Sequence, residues 1–300
     1  NNGTLSCRGN MIVFGTHTGT NRLVLSGTNS QTIGIANGTS QNWIDTLVIN
    51  KTSGTVMLNS WIYARNTTIQ AGNVSMASGS TFFVGGAFAN SGSYTTSGRF
   101  TVFNASTVSN TGTLSVGILT FNAPTTLTGT FSCSQLNHNA AVTGSNSVSV
   151  TGTATINSSW AGNSLTASTI SIPTGGSING VITLTVTGGG LGNSGTLSSM
   201  ATVISASSGS TAYSNPTAIR KFVQQSGTTN LFNNLQTDSL SINAGLINAG
   251  ASFRVIVNDG GANAVSWSGT GSVNFRLRRA ISGTGEYLFP VSVPSKGNNC

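Results

Sequence analysis

The sequence has very little charge. Only 5% of its 300 residues are Asp, Glu, Lys or Arg, whereas a typical soluble domain has about 25%. The acidic residues are Asp45, Asp238, Asp259 and Glu286. So few carboxylates do not supply the acid clusters that calcium sites require. The solvent-facing surface must therefore consist mainly of hydroxyl and amide side chains, which is typical of secreted proteins and polymeric fibres.

Cysteine is also scarce. The three cysteines, Cys7, Cys133 and Cys300, lie far apart, and none belongs to a CxxC or Cys/His pattern with zinc-ligand spacing. We therefore predict no metal site and no cofactor. One disulfide can form among three cysteines, and the sequence leaves its existence and its pairing open. Cys133, in the run Phe-Ser-Cys-Ser, is expected to be a small buried residue.

Long apolar runs are absent. No run approaches the roughly 20 residues of a membrane-spanning helix, and no window shows the i, i+3, i+4, i+7 spacing of an amphipathic helix. Residues 1–4 lack the basic and apolar regions of a signal peptide. We therefore expect a soluble chain without membrane insertion. The cysteine at position 300 suggests that the sequence is cut from a longer chain.

The recurring feature of the sequence is a short run of residues with the pattern of a β-strand. Apolar or alternating runs of about three to six residues, the usual length of a strand, are separated by Gly, Asn, Ser and Thr. Phe82, Phe100, Phe121 and Cys133 follow one another at loosely regular intervals. This spacing indicates a solenoid, in which each coil stacks its strands on the previous coil. The sequence therefore predicts an all-β chain that forms a right-handed parallel β-helix with rungs of roughly 17–21 residues.

Small and polar residues mark the corners of the predicted coils. Asn and Gly tolerate the left-handed backbone that closes a coil, and Gly54 is one such predicted corner. Asn side chains stacked in successive rungs are expected to form amide ladders. We assign residues 1–215 to β-helix rungs. Residues 216–300, whose strands carry more charge, are assigned to further rungs or a cap, joined to or cut from a longer chain.

Two parts of the sequence resemble a known family. Residues 26–34 read SGTNSQTIG and residues 47–56 read LVINKTSGTV, which is similar to a repeat of large secreted surface proteins of the Bacteroidota. Residues 278–291, RRAISGTGEYLFPV, resemble a phrase that follows the solenoid in the same proteins, with Ser292 where the phrase usually has Gly. The resemblance implies export by the type IX secretion route and display at the cell surface as an adhesin or filament.

The basic excess does not indicate a nucleic-acid site. Twelve Lys and Arg give the chain a formal charge of +8, but they are scattered, whereas nucleic-acid-binding proteins cluster basic residues on one face. Only Arg276, Arg278 and Arg279 lie together. In a strand the first two share one face and Arg279 points away. We therefore expect no nucleic-acid partner.

Parallel β-helices include polysaccharide-cleaving enzymes, which makes paired carboxylates the first catalytic candidates. Glycoside hydrolysis needs two carboxylates about 5–10 Å apart. Because rungs are about 4.8 Å apart, such partners should be about 20 or 40 residues apart in sequence. Asp238 and Asp259 have this spacing, but both lie in turn-like sequences and are predicted in turns. We therefore predict no enzymatic activity, with a polysaccharide-active β-helix enzyme as an alternative.

The remaining motif-like features have simpler interpretations. His17 and His138 lack a partner at catalytic spacing and are predicted in loops or corners. Residues 188–190, three consecutive glycines, are predicted to form a turn rather than a phosphate loop, because no Lys-Ser/Thr pair follows them. No catalytic residue is assigned.

The four tryptophans are the candidate binding residues. Trp43, Trp61, Trp160 and Trp267 carry aromatic faces that can stack on sugar rings, and they are predicted as candidate glycan contacts. Core or corner packing is the alternative for each of them. A glycan-binding protein is expected to align exposed Trp or Tyr side chains along one face.

The predicted function is mechanical. Ladder hydrogen bonds and stacked apolar side chains make a stiff rod, so we predict an extracellular structural or adhesive β-solenoid, a rod or filament segment at the cell surface. The alternative is a carbohydrate-binding adhesin or a polysaccharide-active enzyme. Because the ends of a solenoid expose strand edges, we expect self-association or end-to-end stacking with other protomers. Surface glycans are the other expected partners.

Overall fold

The computed structural model describes residues 3–13, 21–35, 43–102, 104 and 106–292. The chain is all-β, with 69% of residues in strands and 1% in helix. The strands stack in parallel as a β-solenoid with about 14 turns in total, which confirms the predicted fold class. Two compact units divide the chain, Asn1–Ser149 and Val150–Cys300.

The strands of the first unit are mostly short, because small and polar corners interrupt them. Within the described residues they are β1 (Thr4–Cys7), β2 (Met11–Val13), β3 (Arg22–Gly27), β4 (Gln31–Ile35), β5 (Trp43–Leu58), β6 (Ile62–Met76), β7 (Thr81–Val84), β8 (Phe88–Asn90), β9 (Ser93–Thr95), β10 (Arg99–Val102), β11 (Ser106–Asn110), β12 (Thr113–Phe121), β13 (Thr125–His138) and β14 (Val142–Thr143). The division between the units falls within β15 (Asn146–Ile156).

The second unit has the same kind of strands. Within the described residues they are β16 (Ser159–Ala161), β17 (Ser164–Ile172), β18 (Ser177–Asn179), β19 (Thr183–Asn193), β20 (Thr196–Leu197), β21 (Thr202–Ser214), β22 (Ile219–Leu231), β23 (Leu235–Asn248), β24 (Val255–Val257), β25 (Val265–Asn274), β26 (Leu277–Arg279) and β27 (Val291–Ser292). One 3-10 turn, Ala262–Ala264, is the only helical element among the described residues.

Each central coil of the first unit has three strands. β7, β8 and β9 form one coil, and they pair in parallel with β10, β11 and β12 of the next. β6 runs along the whole preceding coil and pairs with β7, β8 and β9 in turn. Glycine allows such a strand to bend at a corner. Gly54 and Gly72 have φ angles of 73° and 94°, a left-handed backbone that other residues rarely adopt, and the predicted corner at Gly54 is confirmed.

Rung length varies more than the sequence predicts. Thr81 pairs with Arg99 of the next coil, and the separation of these two positions lies within the predicted range. In the second unit Leu240 pairs with Val265, a separation that exceeds this range. The extra length lies in residues 258–264, which follow β24 and include the 3-10 turn. A corner insertion of this kind lengthens a rung without disturbing the strand pairing on either side of it.

The core of the first unit is rich in aromatic rings. Phe82, Phe88, Tyr94 and Phe100 come from consecutive strands, and each exposes 2% of its surface or less. The ring centroids of Phe88 and Phe100 are 4.9 Å apart, and those of Phe82 and Phe100 are 5.9 Å apart. Burying a side chain of this size contributes about 1.5–3 kcal/mol. Stacked aromatic side chains therefore stabilise the pairing of successive coils.

Asparagine side chains form ladders at buried corners. Asn90 donates a hydrogen bond to Oδ1 of Asn110 at 2.7 Å in the first unit. Asn193 donates to Oδ1 of Asn215 at 2.8 Å in the second. All four side chains are buried. Because an unpaired buried amide costs about 1–3 kcal/mol, these bonds favour a single register. The predicted amide ladders are confirmed.

One lysine lies inside the first unit. Lys51 exposes 1% of its surface, and its Nζ donates to the backbone oxygen of Asn29 at 2.7 Å and to Oε1 of Gln31 at 2.8 Å. The Gln31 amide donates in turn to the carbonyls of Cys7 and Gly9. Two oxygen acceptors thus bind the ammonium, and burial of a charge requires such acceptors.

Some residue-level predictions are wrong. His138, predicted in a loop or corner, is fully buried at the end of β13, where its ladder partner is Phe121. Residues 188–190 lie inside β19 rather than in a turn, at a point where the pairing with β21 shifts register. Asp238 lies in β23 rather than in a turn. In each case the pairing with neighbouring rungs, which local sequence does not show, decides the conformation.

The structure describes Cys7 and Cys133, but neither Cys300 nor His17. Cys133 exposes 3% of its surface, which confirms its predicted burial. Cys7 and Cys133 are free thiols. Cys300 and His17 lie outside the described residues.

Candidate functional site

An outward aromatic surface begins just before β6. In the run 61–65 the side chains alternate, because Ile62 and Ala64 are fully buried. Trp61, Tyr63 and Arg65 therefore point to the opposite side, away from the core. The sequence thus places two aromatic rings and one cation on a single outer face.

The next rung adds a third ring to this face. Tyr63 and Phe83 are ladder partners on β6 and β7; their ring centroids are 4.3 Å apart and their planes differ by 3°. Trp61 meets Phe83 at a centroid distance of 6.2 Å and an interplanar angle of 67°. Since 55% of the Trp61 surface is exposed, much of its indole is open to solvent. We call Trp61, Tyr63 and Phe83 the outer aromatic cluster.

Charged groups flank the outer aromatic cluster. Nη1 of Arg65 lies 3.5 Å from Oδ1 of Asp45, and their side chains are 62% and 18% exposed. Arg99 is exposed as well. Ile62, the neighbour of Trp61, pairs with Phe82 of the next rung, and Thr81, the neighbour of Phe82, pairs with Arg99 of the rung after that. The aromatic surface therefore has a cation on two sides and one carboxylate that is paired with the first of them.

The four predicted tryptophans lie in different environments. Trp61 belongs to the outer aromatic cluster, and Trp267 of the second unit is 39% exposed. Trp160 is fully buried in the second unit. It is therefore a core residue, which is the alternative interpretation, and not a glycan contact. The backbone of Trp43 pairs with Tyr63, but its side chain lies outside the described residues. Of the three tryptophans whose side chains the structure describes, two thus present an indole to solvent.

Trp267 lines a pocket in the second unit. The pocket has a volume of about 400 Å³ and is lined by Trp267, Gly271, Ser272, Tyr287, Leu288, Phe289, Pro290 and Val291. Nε1 of Trp267 donates to the carbonyl of Gly271 at 2.6 Å, which fixes the indole. A largely apolar lining and a few polar groups are typical of small-molecule sites.

Arg279 holds the segment that closes this pocket. It is 7% exposed, and its guanidinium donates to the carbonyl of Leu288 at 3.1 Å. The guanidinium carbon lies 4.7 Å from the ring centroid of Tyr287, in a cation–π contact. Arg276 and Arg278 are exposed, which confirms that Arg279 points away from them.

The carboxylates of the second unit do not line the pocket. Asp238 is exposed on β23, and Asp259 is exposed and accepts the backbone N–H of Gly261 at 2.8 Å. The Asp259 carboxylate thus stabilises a turn, as the sequence predicts for it. In the described part of the chain, no group of three or more His, Cys, Asp or Glu could hold a metal ion.

Comparison with known proteins adds no identification. No protein-family model, curated protein or solved structure matches the chain. The resemblance of residues 26–34, 47–56 and 278–291 to surface proteins of the Bacteroidota therefore stays a prediction. Among the described residues, no helix is both long and apolar enough to cross a membrane.

Sequence reasoning does not identify Phe83 or Arg279 as site residues. Phe82 and Phe83 are adjacent, so one of them must face outward, and the ladder partnership with Tyr63 decides which. The alternation of buried and exposed residues at 61–65, one rung earlier, is the sequence signal that indicates the outward orientation of Phe83. Arg279 carries no comparable signal, because its partners are carbonyls and rings of a segment without regular structure.

Proposed function

We propose that this chain is a structural segment of an extracellular surface protein, a β-solenoid that acts as a scaffold. The observation that best supports this role is the way successive coils are joined within each unit. Their strands pair in parallel, and buried asparagine side chains donate hydrogen bonds from one coil to the next. A solenoid of this kind is stabilised by contacts between neighbouring coils. It can therefore carry load along its axis without a bound ligand.

Low charge and family resemblance support an extracellular location. The surface carries few ionisable groups, and one ion pair, Arg65 with Asp45, occurs among the described residues. Hydroxyl and amide groups dominate instead, as expected for a secreted or fibrous protein. The family-like parts of the sequence, residues 26–34 with 47–56 and residues 278–291, support export by the type IX route.

The first coil supports association between protomers. Within the described residues, β1 pairs with β3 alone and β2 pairs with β4 alone. Their other edges can pair with a further strand, either from a flanking part of a longer chain or from another protomer. Leu5 and Ile12, in these two strands, are 54% and 61% exposed. We therefore include self-association through this edge in the proposal.

Sedimentation velocity and electron microscopy test the scaffold role. We expect concentration-dependent association and rods or fibres with an axial repeat built from rungs of about 4.8 Å. Charge on an edge strand opposes such pairing, so Leu5→Lys together with Ile12→Lys should leave a monomer. Val181→Lys is the control, because Val181 is 60% exposed and belongs to the second unit. A chain that stays monomeric at every concentration would contradict the association.

The extracellular location needs a separate test. Protease added to intact producing cells should cleave the chain, whereas a cytoplasmic marker should survive. Protection of the chain until the cells are broken would contradict the proposed location.

A further inference from the structure

The outer aromatic cluster combines an open indole with an excess of positive charge. Trp61 is 55% exposed and contacts Phe83 at a steep angle. Arg65 forms an ion pair with Asp45, whereas Arg99 has no ion-pair partner among the described residues. Two cations and one anion leave this surface with a net positive charge.

These groups match the chemistry of an acidic sugar. A pyranose ring has a face of C–H groups that can pack on an aromatic ring, and a carboxylate at its rim can accept two parallel N–H groups from a guanidinium. We propose that the outer aromatic cluster, with Arg65 and Arg99, binds an acidic polysaccharide. One carboxylated pyranose unit stacks on Trp61, and carboxylates of this or neighbouring units pair with the two arginines.

The spacing of the groups fits a chain of sugar units. Trp61, just before β6, and Arg65, in β6, are four residues apart, or roughly 13 Å in extended chain. Arg99 lies two rungs from the rung of Trp61, or roughly 10 Å away along the stack. These spans exceed a single pyranose ring. The site therefore favours an oligosaccharide or a polysaccharide over a monosaccharide.

Charge complementarity also decides between an acidic glycan and a nucleic acid. Single-stranded nucleic acids bind in grooves that track a phosphate at every nucleotide with many cations. Here two arginines are present, and Asp45 already pairs with one of them. Two guanidinium groups do not track a phosphate backbone in this way, whereas each of them can pair in bidentate fashion with the carboxylate of a sugar unit that packs its C–H face on Trp61. The formal charge of +8 on the whole chain adds a long-range attraction for any polyanion.

Binding measurements with three polymers test the proposal. The probes are polygalacturonate, whose pyranose units carry carboxylates, neutral dextran, and poly(dT). We expect binding to polygalacturonate that weakens with added NaCl, and much weaker binding to dextran and to poly(dT). Trp61→Ala should weaken the polygalacturonate affinity about tenfold. Arg99→Gln should weaken it several-fold and reduce its dependence on salt.

Control variants distinguish binding at the outer aromatic cluster from two other effects, the overall positive charge of the chain and the association of protomers. Trp267→Ala and Arg278→Gln remove an exposed Trp and an exposed Arg of the second unit, and they should leave the affinity unchanged. The Leu5→Lys, Ile12→Lys protein keeps the outer aromatic cluster and should bind like the parent chain. The inference goes beyond the scaffold role, so either can fail without the other.

Several outcomes would overturn the proposal. These are no binding of polygalacturonate, equal binding of dextran, tighter binding of poly(dT), or a Trp61→Ala variant that is folded by circular dichroism and binds like the parent. An effect of Trp267→Ala as large as that of Trp61→Ala would also contradict a site at the outer aromatic cluster.

Discussion

Asn90 and Asn110 occupy the same corner of consecutive coils, and the side-chain amide of Asn90 donates to Oδ1 of Asn110 at 2.7 Å. Oδ1 of Asn90 also accepts the backbone N–H of Gly92 at 3.1 Å. Asn110 donates in turn to the carbonyl of Thr130. The Asn90 amide therefore stabilises its own corner, and both amides donate to the following coil. A residue with both a donor and an acceptor is needed for this, which explains why asparagine recurs at these corners.

Removal of one member of this ladder should destabilise the first unit. In Asn110→Ala the buried Asn90 amide loses one of its two acceptors and keeps the other, the carbonyl of Thr113, so the free energy of unfolding should fall by about 1–3 kcal/mol. Urea denaturation followed by circular dichroism measures the change. Asn122→Ala is the matched control, because the hydrogen bond that Nδ2 of Asn139 donates to Oδ1 of Asn122, at 2.9 Å, is exposed. Its effect should stay within about 0.5 kcal/mol, and equal losses in both variants would contradict the argument from burial.

Two buried tyrosines should respond differently to loss of the hydroxyl. The Tyr94 hydroxyl is buried with no hydrogen-bond partner among the described residues. The Tyr213 hydroxyl accepts Nδ2 of Asn215 at 3.1 Å. Tyr94→Phe should therefore leave the free energy of unfolding unchanged or raise it, because an unpaired polar group is removed from the core. Tyr213→Phe should lower it by about 1 kcal/mol.

Urea midpoints at a constant denaturant slope measure both tyrosine variants. Each variant serves as the control for the other, since both remove one oxygen atom from a buried ring. A larger loss for Tyr94→Phe than for Tyr213→Phe would show that the Tyr94 hydroxyl contributes a stabilising contact.

Burial should protect Cys133 from thiol reagents. Burial raises the pKa of its thiol to about 12. At pH 8 this group is therefore almost entirely protonated, and the reactive thiolate is scarce. In a Cys300→Ser background, the aryl disulfide DTNB should titrate one thiol, Cys7, in the native protein and two thiols after denaturation. Rapid reaction of a Cys7→Ser, Cys300→Ser protein in native buffer would contradict the burial of Cys133.

The solenoid could be predicted from the sequence because its signals are local. Short alternating runs and regular spacing of Phe82, Phe100 and Phe121 reflect strands whose inward side chains fill a common core. All three are buried as this pattern requires. The glycine at position 54 marks a corner for an equally local reason, namely its left-handed backbone.

The features that the sequence does not predict depend on pairing between distant rungs. His138 is buried because its ladder partner is Phe121, and the burial of Lys51 depends on acceptors in the preceding rung. The outer aromatic cluster has the same origin. Trp61 and Tyr63 share a face by simple alternation, but the addition of Phe83 requires the register of the next rung.

Arg279 should control the order of the segment that follows β26. Its guanidinium donates to the carbonyls of Leu288 and Gly261, at 3.1 and 2.7 Å, and lies over the ring of Tyr287. A lysine ammonium lacks the planar fork that makes these contacts together. Arg279→Lys should therefore release residues 280–290 from the second unit while the coils below them stay paired.

Limited proteolysis and fluorescence measure this release. Chymotrypsin should cleave Arg279→Lys rapidly after Tyr287 or Leu288, and the emission of Trp267 should shift to longer wavelength, because these residues line its pocket. The midpoint of thermal unfolding should change little, since the strands of the second unit keep their partners. Arg278→Lys, at an exposed position, should behave like the parent chain. If Arg279→Lys instead lowers the unfolding midpoint strongly and cleavage is no faster at residues 280–290 than elsewhere, Arg279 supports the whole second unit rather than this segment.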